Sequence, residues 1–273
     1  MAVVYVIAIR THIGQRIDSV AFQRHSIVTA AMTRRTDRLL GTVSVATLFG
    51  FGSAIVLIAL ARRRVSLALA VGVAMSGAVL TTEVLKKLIL TRPDLGFGGV
   101  SFNTYPSGHA TIGMTLSLGA VMVAPVSLRR PALLIAALTS TAFGTAVLSS
   151  GWHRPSDTIG AYFVSLAWFA AASAAVTDRD QFEAARITAR PDPKPSPPLL
   201  VGAAIGVLAI LMFVLYKSVN ATGLHTVVYA APYVLACIGI DGAGVLVVGT
   251  FYVLQRTTPR LTAGARTRVR ARA

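Results

Sequence analysis

The dominant feature of this sequence is a series of seven long apolar runs separated by short polar connectors. A helix needs about 20 apolar residues to cross the hydrocarbon core of a bilayer, and each run is long enough. With 54% apolar and 13% charged residues among 273, the chain is too apolar for a soluble domain of its size. The pattern predicts an all-α, polytopic transmembrane helix bundle, with spans at residues 39–61, 65–88, 109–127, 131–150, 157–176, 198–216 and 226–254.

The charge of the chain is strongly positive, with 26 Lys and Arg against 10 Asp and Glu. In a soluble protein this excess would suggest a nucleic-acid partner. Here most of the cations lie between apolar runs, where basic residues determine membrane topology. We therefore expect membrane lipids as partners and no nucleic acid, and the sequence leaves the oligomeric state open. The single cysteine, Cys237, excludes an intrachain disulfide.

The connectors divide the chain into five parts. Residues 2–9 are apolar but too short to span, and residues 10–38 form either an interfacial amphipathic helix or an irregular loop. The five predicted parts are an N-terminal segment (1–38), a transmembrane core (39–177), a proline-rich cytoplasmic linker (178–197), a C-terminal helix pair (198–255) and a basic cytoplasmic tail (256–273).

Orientation follows from the basic connectors. Alternation of the spans places Arg62-Arg63-Arg64, Arg129-Arg130, the linker and the tail on one side, which the positive-inside rule makes cytoplasmic. The arginines of residues 10–38 fall on the other side and oppose this orientation. We prefer it because the short inner connectors are basic and contain no acid. The sequence thus predicts a multi-pass protein of the plasma membrane with a cytoplasmic C-terminus.

Three polar clusters lie at ends of predicted spans on the opposite, extracytoplasmic side. Asp157 follows His153 by four residues, so the two side chains can share a helix face. A carboxylate beside one imidazole nitrogen fixes the tautomer and leaves the other nitrogen free as a nucleophile or base. The clusters are Lys86, Lys87 and Arg92; Ser107, Gly108 and His109; and His153, Arg154 and Asp157.

The chemistry of these clusters suits a phosphate. Ser107 and Gly108 precede a helix whose positive N-terminal end favours anions, and we expect their backbone N–H groups to point outward towards the ligand. Lysine and arginine add fixed positive charge. No cluster of acids suggests a metal, so we expect metal-independent phosphoryl transfer without a cofactor. Glu83 is expected to pair with Lys86 or Lys87. Asp241, inside an apolar run, is either a functional group or paired within the bundle.

The motifs Lys-x5-Arg-Pro, Pro-Ser-Gly-His and His-x3-Asp, in this order, resemble those of the type 2 phosphatidic acid phosphatase (PAP2) superfamily. The resemblance covers about residues 39–177 and implies a PAP2-like core with an extra C-terminal helix pair. It implies that His153 attacks phosphorus to form a phosphohistidine, that Asp157 orients His153, and that His109 protonates the leaving oxygen and then activates water. By the same resemblance Lys86 or Lys87 and the residues Arg92, Ser107 and Gly108 hold the phosphate.

Two positions depart from the family pattern. The first motif usually has six residues between lysine and Arg-Pro, whereas Lys86 leaves five and Lys87 leaves four. The third motif usually has an arginine where this chain has Val147. Arg154, next to His153, is our candidate for the missing phosphate ligand. The family core has six helices, so residues 2–9 resemble a truncated first helix.

The sequence therefore predicts a membrane-bound phosphatase that hydrolyses a lipid phosphomonoester or pyrophosphate through a phosphohistidine, with its active site on the outer face. It does not distinguish phosphatidic acid, phosphatidylglycerol phosphate, polyprenyl pyrophosphate and prenyl-linked sugar phosphates as substrates. The alternative is a membrane transporter or lipid-binding protein in which the same residues form an anion site without turnover.

Overall fold

A computed structural model describes residues 1–28, 30–42, 45–97, 103–176 and 224–270. The described residues form helices joined by short connectors, with no strand among them. A π-helical turn, Leu85–Ile89, extends α5. The helices are α1 (Ala2–Arg10), α2 (His12–Gln23), α3 (Ala30–Thr42), α4 (Val45–Ala61), α5 (Val65–Val84), α6 (Gly108–Val123), α7 (Arg129–Ser149), α8 (Pro155–Val176) and α9 (Leu224–Arg270).

In the described part of the chain, four helical segments are long and apolar enough to cross a membrane: Val65–Ile89, Arg129–Ser149, Pro155–Val176 and Val228–Gln255. These correspond to four of the seven predicted spans. Two further runs are shorter in the structure than in the prediction. The run 109–127 ends as a helix at Val123, and the run 39–61 is divided between α3 and α4, with the apolar part at Phe49–Ala61. The run 198–216 lies outside the described residues.

The core of the bundle is formed by α5 to α9, which pack through small residues. A side chain at Gly77 would meet the ring of Trp168, and one at Gly113 would meet Phe143. Glycine at these positions lets the helix backbones approach closely, as membrane bundles require. Phe169 of α8 and Phe251 of α9 are fully buried and meet edge to face, with centroids 5.8 Å apart. This packing holds α9 against the helix that carries Asp157.

Asp241 of α9 contacts α7 within the bundle. The hydroxyl of Thr145 donates to Asp241 Oδ1 at 2.9 Å. One turn further along α7, the hydroxyls of Ser149 and Tyr233 are 2.7 Å apart. Of the two alternatives for Asp241, the structure therefore supports pairing within the bundle, since its carboxylate has a hydroxyl donor on the neighbouring helix.

The two ends of the bundle differ in character. At one end, which we call the site end, α5 and α7 finish and α6 and α8 begin. At the far end, the Arg62 guanidinium donates to the carbonyl of Val123 at 2.6 Å, which ties the α4–α5 connector to the end of α6. The three candidate clusters therefore lie at one end of the bundle, and the basic connectors 62–64 and 129–130 lie at the other.

Residues 10–38 are mostly helical where the structure describes them, with extended residues at Thr11 and Val28, which corrects the alternative of an irregular loop. The buried side of α2 is polar and includes Gln15 and Asp18, whereas Ile13 and Ile17 are exposed. Gln15 Nε2 donates to the carbonyls of Ile9 and Pro93, at 2.8 and 2.7 Å. The N-terminal helices are therefore attached to the site end of the bundle, beside the Arg92-Pro93 segment.

Candidate active site

Asp157 lies at the centre of the site end. It is the third residue of α8, its side chain is fully buried, and its carboxylate has four donors around it. Oδ2 accepts from Thr104 Oγ1 at 2.7 Å and from the backbone N–H of Arg154 at 3.1 Å, and Oδ1 accepts from Arg92 Nη2 at 3.2 Å. His153 Nδ1 lies 3.4 Å from Oδ2, a long contact for a hydrogen bond. Asp157 therefore holds Arg92 at least as firmly as it holds His153.

The turn between α7 and α8 sets the position of His153. Gly151 has φ of +66° and follows the last turn of α7. Its N–H donates to the carbonyl of Leu148, and the N–H of Trp152 donates to the carbonyl of Val147, the two bonds of a Schellman motif. Pro155 then begins α8, a position that suits its fixed φ. His153 is held between these two helix ends, with the imidazole one helical turn from Asp157.

His109 is brought to the same place by the start of α6. Its ring meets the ring of Trp152 edge to face, with centroids 5.0 Å apart. It also lies close enough to His153, Lys86 and Glu83 to interact with them electrostatically. The second and third motifs, 44 positions apart in the chain at the two histidines, are therefore neighbours in space.

Ser107 caps α6, and this use of its backbone corrects one expectation. The Ser107 side chain accepts from the N–H of Ala110 at 3.3 Å, while its own N–H donates to the Asp157 carbonyl at 2.9 Å. That N–H is therefore engaged and does not point outward towards a ligand. The N–H groups of Gly108 and His109 belong to the first helical turn, where no intrahelical acceptor exists, so they remain the candidate donors to an anion at this helix end.

The two candidate lysines share one carboxylate. Glu83 accepts from Lys86 at 2.6 Å and from Lys87 at 2.9 Å, which confirms the expected pairing. A side-chain carbon at Gly108 would lie 3.1 Å from Glu83 Oε1 and 3.6 Å from Lys86 Nζ. Lys86 is therefore seated against the start of α6, while the Lys87 side chain is 68% exposed. The Glu83–Lys86 ion pair therefore lies directly beside the backbone of Gly108.

Two buried arginines complete the site. The Arg92 side chain is 7% exposed and Arg154 is 3% exposed. Arg154 lies over the ring of Phe22, with its guanidinium carbon 5.3 Å from the centroid. Burial lowers the pKa of Arg154, and the positive charge of Arg92 lowers it further. The Nε atoms of both arginines are buried without a hydrogen-bond partner, which is unusual for a charged donor.

Val147, the position where the family pattern has an arginine, is fully buried in an apolar cluster with Leu40 and Ala146. Only its carbonyl contributes to the site, by ending α7. An arginine here would replace the apolar contact with α3. Arg154, our candidate for the missing ligand, is also buried, but it lies beside the charged groups of the site.

Three residues of the site were not predicted from the sequence. Asn103 Nδ2 lies within hydrogen-bond distance of the carbonyl oxygens of Lys86, Leu90 and Tyr105, at 3.2, 3.0 and 2.9 Å, and so joins the end of α5 to the segment before α6. Thr104 binds Asp157, and Asp18 reaches the site from α2. Asn103 and Thr104 come directly before Tyr105 and the Pro-Ser-Gly-His motif, and this position could have indicated that they belong to the site. Asp18 had no such signal, because its hydrogen-bond partner Ser156 is 138 positions away.

The arrangement combines two imidazoles, one of them beside a buried carboxylate, with two arginines, a lysine and a helix N-terminus. The part of the chain that the structure describes contains no group of three or more His, Cys, Asp or Glu side chains that could hold a metal ion. Comparison with models of protein families, with curated proteins and with solved structures finds no match for this chain. The site must therefore be interpreted from its own residues.

Proposed function

We propose that this protein is an integral membrane phosphatase that hydrolyses a lipid phosphomonoester or pyrophosphate through a phosphohistidine. The observation that carries the proposal is the pair of buried arginines, Arg92 and Arg154, whose Nε donors have no hydrogen-bond partner. Arg92 binds the same carboxylate, Asp157, that contacts His153. A buried, unpaired donor on a charged group costs free energy, and a phosphate oxygen would satisfy it.

The proposed reaction has two steps. His153 attacks phosphorus through Nε2, the P–O bond to the lipid breaks, and His109 gives a proton to the leaving oxygen. His109 then takes a proton from water, whose oxygen attacks the phosphohistidine and releases inorganic phosphate and the free imidazole. Asp157 supports this chemistry because its carboxylate stabilises the positive charge that His153 carries in the intermediate.

The cations supply the electrostatic part of catalysis. The transition state of phosphoryl transfer spreads negative charge over three equatorial oxygens. Arg92, Arg154 and Lys86, with the N–H groups at the start of α6, provide donors that are already fixed by their contacts with Asp157, Phe22 and Glu83. Donors held in advance in a site shielded from water are the largest single contribution in many enzymes.

A lipid substrate is favoured by the location of the site at the ends of the candidate spans. The site residues belong to the ends of α5, α6 and α8, so an amphiphile in the membrane could present its head group there while its chains remain among apolar helices. The basic connectors at the far end favour an extracytoplasmic position for the site in the plasma membrane.

One observation favours a second candidate, an anion-binding membrane protein without turnover. Glu83 pairs with both lysines and so offsets one of their two positive charges, and the contact of 3.4 Å between His153 and Asp157 is long. A weakly oriented histidine at a site of reduced positive charge would bind phosphate without transferring it.

Phosphate release by the purified, detergent-solubilised protein separates the two candidates. The substrates are phosphatidic acid, phosphatidylglycerol phosphate, a polyprenyl pyrophosphate and a prenyl-linked sugar phosphate, assayed in the presence of EDTA. We expect turnover of at least one of them, with an acid-labile phosphoryl adduct on His153 trapped by rapid denaturation. Binding of these lipids without release of phosphate would contradict the phosphatase and support the second candidate.

A further inference from the structure

Asp18 is a second buried carboxylate at the site, contributed by the N-terminal helix α2. Its side chain is 5% exposed. Oδ1 accepts from the backbone N–H of Ser156 at 2.9 Å, and Oδ2 accepts from the Ser156 hydroxyl at 2.7 Å. Ser156 lies in the first turn of α8, one residue before Asp157. Asp18 therefore satisfies the start of α8 from another helix, where the helix dipole favours a negative charge.

The same carboxylate also competes for Arg92. Arg92 Nη2 lies 3.5 Å from Asp18 Oδ2 and 3.2 Å from Asp157 Oδ1, so one nitrogen is shared between two acids. With Arg154, the buried group contains two guanidinium ions and two carboxylates. A phosphate that binds Arg92 would therefore approach a group whose positive and negative charges are equal in number. Of the two acids that share Arg92, Asp157 also contacts His153, whereas Asp18 does not.

We propose that Asp18 is a positioning residue of the candidate active site, which fixes the Arg92 guanidinium and the first turn of α8 and whose negative charge limits how tightly the site binds an oxyanion. The inference rests on the proposed function, because it takes Arg92 as a phosphate ligand. It makes the N-terminal helices part of the site, although the motifs begin only at residue 86.

The surroundings of Asp18 indicate how its charge responds to pH. Burial, and after it the negative charge of Asp157, raise the pKa of Asp18 to about 6, against the opposing effects of the bonds from Ser156 and the charge of Arg92. The other titratable groups that interact with Asp18 are Arg154 and Tyr105. From α1 and α9, the cavity beside Asp18 is lined by apolar residues such as Ile7 and Leu235. Asp18 is therefore anionic at pH 7.5 and becomes neutral as the pH falls through about 6.

The test compares Asp18→Asn with Asp94→Asn. Asparagine at 18 keeps an oxygen for Ser156 and removes the charge near Arg92. Asp94 is the matched control, since it is exposed and its carboxylate accepts from the N–H of Gly96. The probe is sodium sulfate, which stays a dianion from pH 5 to 8, titrated calorimetrically at constant ionic strength. Turnover is measured with a small water-soluble phosphomonoester.

At pH 7.5 we expect Asp18→Asn to bind sulfate about tenfold more tightly than the unaltered protein. A factor of ten corresponds to a shift of about one pKa unit, the lower end of the effect of one adjacent charge. The ratio should approach one at pH 5, where Asp18 of the unaltered protein is protonated. The kcat should fall several-fold, because Arg92 loses one of its two anchors, and Asp94→Asn should match the unaltered protein throughout.

Asp18→Glu provides a second variant, since it keeps the charge and moves it by one methylene. Here sulfate affinity should stay near that of the unaltered protein while kcat falls. Unchanged sulfate affinity and kcat in both Asp18 variants would overturn the inference, as would weaker sulfate binding by Asp18→Asn at every pH. If the unaltered protein binds sulfate but hydrolyses no phosphate ester, the proposed function fails, and the sulfate comparison still decides the role of Asp18.

Discussion

The carboxylate of Asp157 shows how much of this site depends on single side chains. It has donors from Thr104, Arg92, Arg154 and His153, so the position of the proposed nucleophile and the position of one phosphate ligand depend on one residue. Such a network is strong when every member is present, because the buried groups polarise one another. Removing one member leaves the others partly unsatisfied.

The two histidines should be indispensable for turnover. A positioned acid or base contributes about 10²–10⁴-fold. His109→Ala and His153→Ala should therefore each lower kcat at least about 100-fold, and the double variant should lose little more, because residues that act as a unit are not additive. His12→Ala is the control, since His12 is exposed and its ring contacts Phe97. Near-normal phosphate release by either site variant would rule out the assigned chemistry.

Arg154 should matter as much as Arg92. Each has a buried Nε without a partner, and losing one fixed donor to a transition state costs about 10²–10³-fold in rate. Arg154→Ala and Arg92→Ala should thus lower kcat to a similar extent, whereas Arg130→Ala, an exposed arginine at the far end, should not. An Arg154→Ala enzyme within a few-fold of normal, beside an inactive Arg92→Ala enzyme, would mean that nothing replaces the arginine absent at Val147.

At the scale of elements, the short turn between α7 and α8 fixes the positions of His153 and Arg154. Within it, Gly151 ends one helix, His153 and Arg154 follow, and Pro155 starts the next. The backbone of this turn is held by the Schellman bonds on one side and by the Asp157 N–H, which donates to the Arg154 carbonyl at 3.1 Å, on the other. Its geometry depends on a residue that tolerates positive φ.

A left-handed conformation costs a residue with a side chain about 1–2 kcal/mol, which is the minimum loss of stability expected for Gly151→Ala. The loss should exceed this because the added carbon would meet His25 Nε2 at 2.5 Å. Gly242→Ala is the control, since a side-chain carbon there meets nothing within 4 Å and lies within α9. Thermal unfolding in detergent should show a lower midpoint for Gly151→Ala than for the unaltered protein, and no lowering of the midpoint for Gly242→Ala. Equal midpoints for the two variants would contradict this account of the turn.

At the scale of the whole molecule, the site and the basic connectors occupy opposite ends of the bundle. The catalytic candidates lie where α6 and α8 begin, and Arg62 binds the carbonyl of Val123 where α6 ends. The 16 residues of α6 separate these two ends by about 24 Å, since each residue of a helix adds 1.5 Å. Topology therefore decides from which side a substrate arrives.

Cysteine labelling should place the site on the extracytoplasmic side. In a Cys237→Ala background, Asp94→Cys at the site end should react with a membrane-impermeant thiol reagent in intact cells, and Ser127→Cys at the far end should not. Both positions are exposed, so a difference in labelling reports sidedness and not burial. The opposite labelling pattern would invert the topology and direct the site to the cytoplasmic leaflet.

The sequence by itself determined the helical class, the candidate spans and the grouping of the three clusters at one end. Apolar runs of about 20 residues have few stable alternatives to helices in a bilayer, because each backbone polar group must be satisfied within the segment. Alternation of the spans then places successive connectors at opposite ends. The pairing of Glu83 with Lys86 and Lys87 was predictable for a similar reason, since i, i+3 and i, i+4 spacing are local properties of a helix.

Only the tertiary structure decided which groups surround the Asp157 carboxylate and which lysine lies against Gly108. It also decided that α6 is only 16 residues long, and that the polar face of α2 is buried, so that Asp18 joins the site. These outcomes depend on contacts between residues that are far apart in the chain, as between Asp18 and Ser156. Spacing along the sequence carries no information about such contacts, because burial and shared hydrogen bonds arise only when the helices pack.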